Sequence, residues 1–102
     1  MIGNVIQRGS SLQILNESGQ EIGWTQIASC STMEGFSQEF IVVRDGGFIM
    51  TLDSAGRQLG SVILPAEWRI RGIAGSGFLM QVSDHLLEKY SSDCQHQGSQ
   101  WI

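Results

Sequence analysis

Arg8-Gly9-Ser10-Ser11-Leu12-Gln13-Ile14-Leu15-Asn16-Glu17-Ser18-Gly19-Gln20-Glu21-Ile22-Gly23 lies without a gap over Asp45-Gly46-Gly47-Phe48-Ile49-Met50-Thr51-Leu52-Asp53-Ser54-Ala55-Gly56-Arg57-Gln58-Leu59-Gly60, at an offset of 37 residues. The match extends back to Val5 and Val42. A blurred third copy runs from Gly72 to Ser91, with a one-residue slip after Val82 that sets Tyr90 where Ile22 and Leu59 stand. Self-similarity at a fixed spacing implies one supersecondary unit, copied, whose copies bury one another's apolar faces.

Within each copy the pattern reads strand, turn, strand, turn, strand. Nine runs rich in Val, Ile, Leu, Phe and Trp are too short for helices. They are Asn4 to Gln7, Leu12 to Leu15 and Glu21 to Ile27; Phe40 to Arg44, Phe48 to Leu52 and Gln58 to Leu64; Trp68 to Ile73, Phe78 to Val82 and Leu87 to Ser91. Turn chemistry supports them. Gly9-Ser10, Gly46-Gly47 and Gly75-Ser76-Gly77 offer Gly where a tight hairpin needs positive φ. Asn16 and Asp53 open a second turn by capping backbone amides, and Gly19 and Gly56 close it.

The expectation is one all-β domain of three antiparallel three-stranded meanders, spanning about residues 4–27, 40–64 and 68–91. Closure about a pseudo-threefold axis, as a β-prism or small barrel, would let three faces meet on one core and leave few strand edges open. A two-sheet β-sandwich is the alternative. Residues 28–39 read as the longest irregular linker, and residues 92–102 as a loose polar tail ending in the apolar pair Trp101-Ile102.

Composition narrows the function classes. The 102 residues carry ten acidic and six basic side chains, a net charge of −4, with Lys89 the only lysine. That balance opposes nucleic-acid binding, which draws on many Lys and Arg contacts to phosphate. No apolar run is long enough to span a membrane. The amino end lacks a secretory pattern, so a cytoplasmic protein with Cys30 and Cys94 as free thiols is expected, a disulfide being the alternative.

Segment 8–22 resembles a unit found in tandem in small bacterial proteins of unassigned activity, often carried on mobile elements: Arg-Gly-Ser, an aromatic-rich strand, then an acidic-Gly turn. The resemblance covers residues 3–22 well and the second copy loosely, since Asp45 stands for Arg8 and Gly47 for Ser10. It implies a bacterial all-β repeat and no activity. Mannose lectins of the monocot type are similar in length and threefold rhythm. Their sugar site, Gln-x-Asp-x-Asn-x-Val-x-Tyr, is met here only by Gln81. Ser83 and His85 replace the Asp and Asn, and Tyr90 falls one position late, so the site is not carried over.

No catalytic set emerges. Cys94, His96 and Cys30 hold one close ligand pair where zinc sites show two. Cys30 with His85 or His96 lacks any surrounding signature of a nucleophile and base. Gly72 to Gly77 resembles a phosphate loop in composition alone, with no Lys or helix after it. The candidates for binding are Trp24, Trp68 and Trp101, large aromatics suited to core or interface, and Arg69 and Arg71, set on one strand face. No cofactor is implied. The leading reading is a non-catalytic module acting through protein contact, as a homo-oligomer or with another protein. A carbohydrate- or small-molecule-binding module is the alternative, and a Cys-dependent enzyme the third.

Overall fold

The computed structural model describes residues 1–102. Its regular structure is eleven strands and no helix: β1 (Ile2–Arg8), β2 (Ser11–Asn16), β3 (Glu21–Gln26), β4 (Thr32–Phe36), β5 (Ile41–Asp45), β6 (Phe48–Leu52), β7 (Gln58–Ile63), β8 (Arg69–Ala74), β9 (Gly77–Ser83), β10 (Leu86–Ser91) and β11 (His96–Trp101). They pair antiparallel in three sheets, β1-β2-β3, β4-β5-β6-β7 and β8-β9-β10-β11. The all-β expectation stands. The count of strands does not, because the second and third sheets have four.

The two additional strands fall where irregular chain was expected. β4 lies in the 28–39 linker and pairs with β5. β11 lies in the 92–102 tail and pairs with β10. Both are edge strands; β4 also lays Met33 and Phe36 against the first core, whereas β11 is held by its backbone ladder. β4 includes Glu34 and Gly35, and β11 is polar and mostly exposed. Neither has the apolar alternation that marks a half-buried strand.

No ladder joins one sheet to another, so the sheets do not close into a barrel. Nor do three faces meet on one core. There are two cores and three layers, which also replaces the two-sheet sandwich. Val5, Leu12 and Ile14 of the first sheet pack with Ile41, Val43 and Leu52 of the second. Phe40, Val42 and Ile49 pack with Phe78, Met80, Tyr90 and Cys94 around the third. The middle sheet is thus covered on both faces. That explains the unbroken apolar run Phe40-Ile41-Val42-Val43, none of it more than 2% exposed, since a strand buried on both sides loses its alternation.

The hairpin glycines take the left-handed conformation their turns require, with φ of 61° at Gly9 and 58° at Gly46. The second turns are built alike. Asn16 Oδ1 accepts from the amides of Ser18 and Gln20, and Asp53 Oδ1 from those of Ala55 and Arg57. Gly19 and Gly56 close these turns at φ of 82° and 88°.

The third sheet departs from the expected alignment. Its counterpart of these turns is Ser91 to Gln95, not Ser83 to Leu86. The Ser91 amide donates to Gln95 O and the Cys94 amide to Ser91 O, as Asn16 and Gly19, and Asp53 and Gly56, do in theirs. Cys94 takes the glycine's place at φ 65°. A strand-end bond recurs in step: Ile27 N to Ser10 O, Leu64 N to Gly47 O, Ile102 N to His85 O. So do the bulges, which set aside Ile22, Leu59 and Gln97. Gln97, not Tyr90, therefore corresponds to Ile22 and Leu59. The spacing is 37 residues and then 38, and the third set ends at Ile102 instead of Ser91.

Candidate interaction surface

The outermost strands β3, β7 and β11 each lie at one end of their sheet. An edge strand has neighbours on one side only, so few of its side chains reach a core. Large apolar groups nevertheless sit there. Trp24 on β3 is 55% exposed, Ile63 on β7 is 80% exposed and Trp101 on β11 is 75% exposed. Ile22, Leu59 and Ile102 are exposed beside them. The structure thus sets Trp24 outside the core and keeps only Trp68 with it, half-buried against Phe40 and its neighbours.

Arg69 and Arg71 are both exposed on β8 and make no side-chain hydrogen bond or salt bridge. A bulge between Ile70 and Gly72 leaves Arg71 without a cross-strand partner. The regular alternation that would set both guanidinium groups on one face is broken there.

The cysteines lie apart in role. Both are free thiols, Cys30 exposed and Cys94 buried. Cys30 Sγ donates to Asp45 Oδ2 at 3.0 Å. That bond and the carboxylate's negative charge push the thiol's pKa up, away from a reactive thiolate. Its partner is a carboxylate, not a histidine base. Cys94 packs in the second core beside Thr51, and burial raises its pKa. No group of three or more His, Cys, Asp and Glu side chains comes together, so the Cys30, Cys94 and His96 set is not assembled.

The histidines serve the third sheet. His85, in the β9–β10 turn as expected, faces the carbonyl of Ile102. His96 Nε2 and Ser99 Oγ reach the same oxygen of Glu88, and these bonds hold the Glu88 carboxyl below its ordinary pKa.

The Gly-rich stretch from Gly72 to Gly77 forms the β8–β9 hairpin. Small residues there leave a groove of about 440 Å³, lined by Gly72, Gly77, Leu79, Lys89 and Gln97 among others. Sequence reasoning passed over this face and over Ile63. The available signal was Gly23, Gly60 and Gly98, spaced by 37 and 38 residues and each following a bulge. No family model matches the chain, and no curated protein matches it.

Proposed function

We propose that the chain is a tandem stack of one β motif that acts without catalysis, by binding protein partners along its outer strands. The observation that carries this reading is the exposure of Trp24, Ile63 and Trp101 on the last strand of each sheet. Large aromatics bury about 150–250 Å² each, and tryptophan is enriched where proteins meet. The bonds that recur from Ile27 to Leu64 to Ile102 support the single motif. The two free thiols fit a cytoplasmic, reducing setting.

The test compares the native chain with the triple variant Trp24→Ser, Ile63→Thr, Trp101→Ser in cross-linked affinity capture from the source cell. Circular dichroism should show both folded, because the three side chains lie outside the cores. A defined partner held by the native chain and lost by the variant is the expected result. A partner held equally by both, or no partner at all, overturns the proposal.

A further inference from the structure

Two joints hold the three sheets together, and both use a glycine as a seat. Gly23 on β3 lies under the second sheet's turn, where an added Cβ would stand 2.4 Å from Ser54 O. Gly60 on β7 lies under the third sheet's turn, where a Cβ would stand 2.1 Å from Asp93 O. Gly98 on β11 occupies the corresponding place, and nothing approaches its Cβ position within 4 Å. At the opposite end of the stack the first sheet's own turn has Glu17, Ser18, Gly19 and Gln20 all exposed. Within residues 1–102 the seat at Gly98 is therefore unoccupied, and the first sheet's turn meets only its own sheet, at Gly3.

The faces tell the same story. Leu12 and Ile14 are fully buried by the second sheet, and Ile49 and Thr51 by the third. The corresponding pair on the third sheet is Leu87 and Lys89. Leu87 is buried at 5% exposure but belongs to neither core cluster, whereas Lys89 is exposed and lines the groove. Across the second joint Thr51 Oγ1 donates to Ser92 O, a residue of the seated turn. Lys89 stands where Thr51 stands, directly across from Gly98 in the ladder. Glu17 stands where Ser54 and Ser92 stand in their turns.

We infer that copies of this chain associate head to tail, the Asn16–Gly19 turn of one copy seating on Gly98 of the next with Glu17 against Lys89. The interface repeats the seat-and-turn geometry of the internal joints and sets an ion pair where the second joint has the Thr51 hydroxyl on the Ser92 carbonyl. It is heterologous, so successive copies form a ring or an open filament according to the rotation between them. The occupant is a second copy, because this chain presents the complementary turn, the opposite charge and a half-buried apolar row of Ile6 and Leu15 at its first sheet. The inference rests on the single-motif reading but not on binding along the outer strands.

Analytical ultracentrifugation from micromolar to millimolar concentration reads it directly. The native chain should gain mass with concentration, and less so at high salt, where exposed charges are screened. Lys89→Glu and Glu17→Lys, both on exposed side chains, should each weaken association about tenfold by placing like charges together. The double charge swap should restore it, and a mixture of the two single variants should regain it with the two variants alternating. A strict monomer throughout overturns the inference, as does association that neither variant alters. Association lost only on Trp101→Ser also overturns it while leaving the outer-strand proposal standing. A small molecule that fills the groove of a chain that stays monomeric counts against it too.

Discussion

Gly60 faces the carbonyl oxygen of Asp93 so closely that a methyl group on its Cα would lie 2.1 Å from that oxygen. The contact joins the second sheet to the third, and both sides of it are backbone, so neither can turn away. Gly60→Ala should force the sheets apart and cost about 1–3 kcal/mol, the range of overpacking. Gly72, where nothing lies within 4 Å of the Cβ position, gives the control. Gly72→Ala should leave the urea midpoint nearly unchanged.

Cys94 is the one non-glycine residue with positive φ, and its side chain is buried. Left-handed backbone costs a side-chain-bearing residue about 1–2 kcal/mol, which the burial offsets. Cys94→Gly should therefore shift stability by less than about 1 kcal/mol, the two terms opposing. Cys94→Val adds a β-branched side chain to the same backbone and should cost well over that. Thermal melts of the two variants separate them. In the same family of turns Gly56→Ala should cost more than Gly19→Ala, because a Cβ at Gly56 would also stand 3.0 Å from Trp24 O, whereas Gly19 has open space.

Asp45 holds the Cys30 thiol in its protonated form. Iodoacetamide should alkylate Cys30 more slowly at pH 8 than it alkylates an unstructured cysteine peptide. Asp45→Asn removes the negative charge and should lower the thiol's pKa, raising the rate at that pH. Mass spectrometry of the peptide bearing Cys30 gives the measurement. A rate unchanged by the variant would refute the assignment.

Glu88 has a folded pKa below its ordinary value of 4.5, first through His96 and then through Ser99. A depressed carboxyl pKa adds stability that is present above the unfolded value and lost as pH falls through the folded one. The native chain should lose part of its melting temperature below pH 4.5, and Glu88→Gln should flatten that portion of the curve. The two curves should converge at the acid end. The effect is small, because His96 is half exposed.

All nine apolar strands and the turns after Arg8, Asn16, Asp45 and Leu52 are readable in the sequence, because apolar and β-branched residues crowd the strands and the positive φ angles of the turns demand glycine. Four features are not. β4 is Thr32-Met33-Glu34-Gly35-Phe36, whose Glu and Gly interrupt the apolar pattern. β11 is His96-Gln97-Gly98-Ser99-Gln100-Trp101, and backbone bonds to β10 hold it without help from a buried face. The run Phe40-Ile41-Val42-Val43 reads as one more strand, although its lack of alternation marks a sheet covered on both sides. The sequence aligns the third motif on Gly75-Ser76-Gly77, which join β8 to β9. The true counterparts of Gly46-Gly47 and Gly56 are Asp84-His85 and Cys94, and no glycine marks them. The β9–β10 turn dispenses with positive φ and takes a register shift between Leu86 and Leu87 instead. Of the candidate site, Trp24 and Trp101 were nameable from residue type, but their exposure follows from edge position, which needs the strand order.

The separation of the apolar interior into two compartments, each made by one pair of adjacent layers, has a consequence for size. Nothing in either compartment refers to the far end of the molecule. Duplicating residues 28–64 in the gene would insert another layer and another compartment and leave the existing two as they are. On the single-motif reading length can change by whole layers, where a closed barrel would have to be rebuilt at every added strand.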